Sequence, residues 1–231
     1  MQALAILGIA IGVMAMLVVM SVMNGFRTEL INKIVGFNSH ITVKPYNKRI
    51  NPTFFKNPKL DSISQNLILS NSGESIIIKN EVTKGILLRG YKSKDFPKLE
   101  IIKNKSFVGN KDDLKNDNIS ISKELSFTLN LDIGDKISLV SSTGVETIIG
   151  NLPKQKTFTV VSLFESGLND FDNNIAFINL KTLEEFLNYK FEDRNLEIYL
   201  KNPKNIEEQK KIVQKVFPSE FIYSWSDMNS S

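Results

Sequence analysis

The first 26 residues carry no charged side chain; Arg27 is the first. A helix over Leu4–Met23 would span about 30 Å at roughly 1.5 Å per residue, the thickness of a bilayer core. In lipid a helix satisfies its own backbone polar groups, so an uncharged run of this length reads as a membrane-spanning helix. A cleavable signal peptide has a positive start and a shorter apolar centre, and this segment has neither. Val22, Phe26, Leu30, Ile34 and Val35 then fall near one helical face, with Arg27, Glu29, Asn32 and Lys33 elsewhere. That spacing predicts an amphipathic stalk continuing from the anchor.

From about residue 38 to 225 the pattern shortens and becomes mixed α/β. Strands are predicted at His40–Lys44, Ser75–Lys79, Lys84–Arg89, Lys136–Val140, Thr157–Phe164, Ile175–Ile178, Leu196–Leu200 and Phe221–Ser224, each short and rich in β-branched or aromatic residues. Helices are predicted at Pro58–Gln65, Ser122–Leu129, Leu180–Leu187 and Asn205–Val216. Pro203 and Pro218 bracket the last helix, as its ends require. Lys92–Asn118, rich in Lys, Asp and Asn, reads as a solvated connector around short elements. Ser141–Lys156 reads as a turn-rich excursion between two strands, a long hairpin projecting from the domain. No internal repeat is evident.

Composition narrows the chemistry. The chain has 231 residues and no cysteine, so disulfides and Cys-based zinc sites are excluded. The formal net charge is +4. The basic residues are mostly scattered lysines, with arginine only at Arg27, Arg49, Arg89 and Arg194; nucleic-acid readers use clustered basic faces and arginine forks. His40 stands alone, and a catalytic or metal role needs a partner cluster. Glu165, Asp170 and Asp172 share one loop and could offer oxygen ligands to a hard cation, but their spacing is not an EF-hand and reads better as a solvated turn. Gly144, Gly150 and Lys154 do not form a phosphate-binding loop, because the Gly-Lys-Ser/Thr ending is missing. The expectation is a non-catalytic chain with no cofactor and no metal. Gly8 and Gly12, with Ala15 one turn on, form a small-residue stripe. It either admits a second helix at close range or reflects the frequency of glycine in membrane helices.

The run Leu7–Leu30, LGIAIGVMAMLVVMSVMNGFRTEL, resembles the first membrane helix and stalk of permease subunits of the lipoprotein-releasing ABC transporter, the LolC/LolE type. Ser21–Phe26 (SVMNGF) and the later His40-Ile41-Thr42-Val43 carry the likeness most strongly. It continues through Gly85–Gly90, through Ile119–Asp135 with its Gly134-Asp135 turn, through Gly150–Lys154, and through Phe158–Leu187.

The resemblance implies an α+β fold shared with MacB-like permeases. A membrane helix would occupy residues 1–25 and a stalk residues 26–37, with Asn24, Gly25, Phe26 and Leu30 at the junction. A porter-like α/β subdomain would comprise 38–92 and 170–226, split by a strand-rich Sabre-like insertion over 93–169. The hairpin residues Ser141, Thr143, Val145, Ile148, Ile149, Leu152 and Pro153 would correspond to a hook that engages a chaperone. The implied partners are a second permease subunit, a cytoplasmic ATPase, a periplasmic lipoprotein chaperone and the lipoprotein itself. The implied setting is the bacterial inner membrane, with the soluble domain in the periplasm. The family also has a cytoplasmic segment before the first helix and three membrane helices after the domain. Their absence here suggests a fragment or a truncated or split gene product. Alternative readings are a MacB- or FtsX-like permease for efflux or hydrolase regulation, and an anchored periplasmic binding or sensor module.

Overall fold

The computed structural model describes residues 8–23, 38–46, 57–79, 82–147, 150–224 and 227. Helix α1 covers 8–23 and is exposed along its whole length. No helix among the described residues is long and apolar enough to cross a membrane. Leu4–Leu7 of the predicted span and the whole stalk, 26–37, lie outside the described residues.

The elements that follow are β1 (Ile41–Lys44), α2 (Pro58–Ile63), β2 (Ser64–Lys79), β3 (Val82–Tyr91), α3 (Glu100–Lys103), β4 (Val108–Gly109), β5 (Asn118–Ser122), α4 (Lys123–Leu129), β6 (Lys136–Thr147), β7 (Gly150–Phe164), α5 (Asn169–Asn174), β8 (Ile175–Asn179), α6 (Leu180–Leu187), β9 (Asn195–Leu200), α7 (Ile206–Val216) and β10 (Phe221–Ser224). Local chemistry sets several boundaries. Asn57 caps α2 through its side chain, with Pro58 in the first turn. Ser122 Oγ accepts the Leu125 N–H to start α4. Asn179 starts α6 in the same way, and Asn188 ends it in the left-handed conformation at φ 58°. Asparagine tolerates that conformation better than most side chains, and the turn releases the chain from the helix.

All ten strands belong to one connected set of pairings. Six of them close into a ring. β2 pairs β3, β3 pairs β8, β8 pairs β5, β5 pairs β7, β7 pairs β6, and β6 returns to β2. A closed ring of this size must be filled by its own side chains. Ile77, Leu88, Ile178, Ile121, Val160 and Leu139, one from each of the six strands, are buried in a common cluster with Phe158. Leu183, Phe186 and Leu187 of α6 and Leu125 and Leu129 of α4 join that cluster. Strands β9, β1 and β10 extend the sheet beyond β2. There α2 and α7 supply Leu60, Val213 and Val216 to a second core with Ile41, Val43 and Ile198.

Strand β2 serves both halves. Its edge opposite β3 pairs β9 over Ser64–Ser70 and β6 over Ser75–Ile78. The buried positions change parity between these stretches. Ser64, Ile68 and Ser70 are buried, and then Asn71, Gly73, Ser75 and Ile77. Two consecutive buried residues, Ser70 and Asn71, turn the strand's inward side from one layer to the next, because side chains otherwise alternate.

Most predicted strands and helices lie where the pattern put them. β2 is the main exception. The predicted helix Pro58–Gln65 stops at Ile63, and the strand predicted at Ser75–Lys79 is only the end of a 16-residue one. Ser70-Asn71-Ser72-Gly73 looks like a turn in sequence, but pairing with β3 holds it extended. The expected connector Lys92–Asn118 is also more than a solvated loop. Phe96, Leu99, Ile102 and Leu114 bury themselves with Tyr91, Phe164 and Phe177 in a third core.

Candidate functional site

The hairpin of β6 and β7 is the candidate docking element. From Lys136 to Val140 it lies against Thr159 to Gln155. Beyond Ser141, β6 no longer pairs with β2, and the two strands pair only with each other, Gly144 opposite Pro153 and Thr147 opposite Gly150. The register shifts between Val140 and Gly144, a bulge of the kind that bends and twists a hairpin. Ser141 holds this bulge. Its Oγ accepts the Thr143 N–H at 3.0 Å and donates to the Thr143 carbonyl.

Two side chains fasten the root of this arm to the C-terminal end of α6. Thr143 Oγ1 donates to the Leu187 carbonyl and Lys154 Nζ to the Glu185 carbonyl, both at 2.8 Å. These carbonyls lie in the last turn of the helix, where several have no intrahelical partner. A cation is also favoured at the negative end of the helix dipole. The arm thus leaves the barrel from a fixed base. Near its tip, Leu152 is 50% exposed.

A second polar centre lies inside the sheet. Arg89 Nη2 of β3 is 3.0 Å from Glu197 Oε1 of β9, and the two side chains are 11% and 5% exposed. Ser70 donates to the same oxygen at 2.6 Å, Tyr91 reaches both carboxylate oxygens, and Tyr199 donates to Oε2 at 2.9 Å. Arg89 Nη1 also donates to Asn38 Oδ1 at 3.3 Å. Burial alone would lower the Arg89 pKa; the facing Tyr91 and Glu197 oxygens outweigh it and raise the value. Burial pushes the Tyr91 and Tyr199 hydroxyls well above their ordinary range, with Glu197 adding to the effect. These groups therefore stay protonated as donors. The cluster is a saturated clamp joining β2, β3 and β9 to the segment entering β1.

Residues 3–216 match the family model of the MacB-like periplasmic core domain. The chain belongs to that family. The MacB-like chain is 27% identical over 191 residues to the lipoprotein-releasing system transmembrane protein LolC of Xylella fastidiosa (strain Temecula1 / ATCC 700964), an alignment covering 79% of this chain and 45% of that one. It is 30% identical over 233 residues to LolC of Buchnera aphidicola subsp. Schizaphis graminum, covering 96% of this chain and 55% of that one. The chain spans about half the length of the curated relatives it matches. The crystal structure of the periplasmic region of MacB from Actinobacillus actinomycetemcomitans shares the fold, with a TM-score of 0.51 at 11% identity over 85% of this chain and 94% of that one.

Within this MacB-like fold, the predicted hook residues Ser141, Thr143, Leu152 and Pro153 come together on the arm. Val145 lies opposite Leu152, while Ile148 and Ile149 lie outside the described residues. Gly8, Gly12 and Ala15 share the exposed helix α1. Asn24, Gly25, Phe26 and Leu30 lie outside the described residues. Of the three acids expected to share one solvated turn, Asp170 and Asp172 lie in α5 instead, and Asp172 is buried, its carboxylate accepting the Ser166 and Gly167 N–H groups at 2.9 Å and 3.1 Å and so tying the preceding loop to the helix. No group of three metal-ligating side chains occurs among the described residues. His40 Nδ1 accepts the Leu200 N–H at 2.7 Å, a structural tie between β1 and β9. Sequence reasoning missed the Arg89–Glu197 clamp. The signal was there as Arg89-x-Tyr91 and Glu197-x-Tyr199, a charge and a tyrosine on the same face of each strand.

Proposed function

We propose that this chain is the N-terminal part of a LolC/LolE-type permease subunit of a bacterial ABC system that releases lipoproteins from the inner membrane. The observation that carries this reading is the match to LolC across 96% of this chain in the Buchnera relative. Helix α1 and the segment before it anchor the chain, and the porter-like parts (38–92 and 170–226) and the Sabre-like insertion (93–169) lie on the periplasmic side. Gly8, Gly12 and Ala15 let a helix of the second permease subunit approach closely. Asn24, Gly25, Phe26 and Leu30 carry movement from that helix into the domain. ATP hydrolysis belongs to a separate cytoplasmic partner, and this subunit performs no chemistry of its own.

The β6–β7 arm is the hook for the periplasmic lipoprotein chaperone. Its fixed base on α6 and exposed Leu152 suit a rigid projection that presents an apolar tip. Rigid presentation keeps the ordering cost of binding low.

The test uses the full-length subunit assembled with its partners. Residues 1–231 contain no cysteine, so Leu152→Cys adds the single thiol of this segment. A photoactivatable group at that position yields an adduct with the purified chaperone, and Leu152→Asp with Pro153→Ser stops lipoprotein transfer to it. An adduct that fails to form, together with unimpaired transfer in the double variant, overturns the hook. Transfer that is impaired only by changes away from the arm keeps the permease reading and moves the docking site.

A further inference from the structure

Residues 38–40 lead into β1, and hinges form where elements end. Here all three side chains are engaged. Asn38 Oδ1 accepts from Arg89 Nη1 of β3 at 3.3 Å. Ser39 and Thr42 share a hydroxyl hydrogen bond at 2.7 Å. His40 Nδ1 accepts the Leu200 N–H of β9 at 2.7 Å, and its ring stands edge-on to Tyr199 with centroids 6.1 Å apart. Asn38 and His40 thus both touch the buried cluster, because Arg89 and Tyr199 each bond Glu197.

The place of these ties in the sheet matters. β1 has four residues and lies next to the edge strand in the order β10-β1-β9-β2-β3. Were it held by its ladder alone, a pull on residue 38 would fall on the first bonds of a short strand, and these would yield one after another. Asn38 instead passes the pull to β3, a strand of the six-stranded ring, and His40 passes it to β9. Arg89 cannot give way without leaving the Glu197 carboxylate buried and without its cation.

The other end of the domain is held alike. Ser224 lies opposite Ile41 in the β1–β10 pair, so β10 ends beside the start of β1. Asp227 Oδ2 accepts from the Ser224 N–H and hydroxyl at 2.6 Å and 2.8 Å, and from Lys210 Nζ of α7 at 2.6 Å.

We propose that Asn38 and Asp227 make the two connections of this domain rigid joints, so that displacing the segment before residue 38 moves β3, β9 and α7 together and carries the domain as one body without a swivel. Networks of this kind, built on rigid elements, carry coupling between distant sites. The use of the joints in lipoprotein release rests on the permease reading; the joints themselves do not.

The test uses the full-length subunit assembled with its partners in lipid nanodiscs. Asn38→Leu keeps the bulk of the side chain and removes the acceptor. It releases at least fivefold less lipoprotein per ATP hydrolysed, at an unchanged rate of ATP hydrolysis and an unchanged circular dichroism spectrum. Adding Lys210→Met, which takes the cation from Asp227, lowers release further. Asn38→Asp, which keeps the acceptor, releases as the parent does. Amide hydrogen exchange at 39–43 rises in Asn38→Leu, while 175–179 within the ring stays protected. Should Asn38→Leu fail to fold, Asn38→Ala gives the same reading. Unchanged release per ATP in the double variant overturns the proposal, and so does an Asn38→Asp protein as impaired as Asn38→Leu. A parent assembly that releases no lipoprotein overturns the permease reading instead. The joints are then judged by exchange alone, and unchanged protection of 39–43 in Asn38→Leu overturns them.

Discussion

Arg89 reaches across β2 to Glu197, and the 3.0 Å ion pair between them is sealed within the sheet. Three hydroxyls complete it, from Ser70, Tyr91 and Tyr199. Such a pair is costly to break from one side, because the remaining charge stays buried without compensation. Arg89→Met lowers stability by about 3–5 kcal/mol on that ground. Arg89→Met with Glu197→Met together costs less than the sum of the two single changes. Urea unfolding of the four proteins checks both statements as a double-mutant cycle.

Acidification weakens the β1–β9 junction. Burial holds the His40 pKa below its ordinary value, with the Glu100 charge pulling the other way. Nδ1 accepts the Leu200 N–H, and protonation there would end that bond. The folded state therefore binds this proton less readily than the unfolded chain. The His40 contribution is complete above the unfolded pKa of roughly 6.5 and declines as pH falls below it. His40→Asn, which keeps an acceptor but cannot titrate, flattens the pH dependence of the unfolding midpoint between about pH 7.5 and 5.

The packing of α6 on β3 depends on a missing side chain. A Cβ on Gly90 would lie 3.0 Å from Leu183 Cβ and 3.1 Å from Leu180 Cα. One of these contacts is backbone, so α6 itself has to move. Gly90→Ala destabilises by about 1–3 kcal/mol, in the range of overpacking changes, seen as a lower urea midpoint. Because α6 also holds the root of the arm, the same variant speeds hydrogen exchange in 142–153.

The arm can be loosened without unfolding the domain. Thr143→Val with Lys154→Met removes both ties to α6. Each is a partly exposed hydrogen bond, worth about 0.5–1.5 kcal/mol. Global stability falls by no more than the sum of two such terms, while amide exchange across 142–153 rises. A transfer assay with the purified chaperone then reports how far rigidity of the hook matters.

The strong periodicities were readable along the chain. Leu180–Leu187 is a helix over the residues the pattern predicts, and the helix predicted at Asn205–Val216 starts one residue later, at Ile206. The strands Ile175–Asn179 and Asn195–Leu200 are nearly continuous buried runs, and Ile41–Lys44 alternates buried Ile41 and Val43 with Thr42 and exposed Lys44. The candidate hook was visible as two strands with turn residues between them. Its bend was not, because the tie from Thr143 to the Leu187 carbonyl joins residues 44 apart in the chain.

The uncharged N-terminal run, the absence of cysteine, the element types and the turn-rich hairpin follow from the sequence itself. They rest on side-chain periodicity and backbone preference, which act over a few residues. Tertiary structure alone decided that six strands close into a ring and that β2 changes its buried face at Ser70–Asn71. It alone brought Arg89 and Glu197 together from positions 108 residues apart. Register between distant strands and the pairing of buried charges depend on which surfaces meet when the chain packs, and no local pattern encodes that.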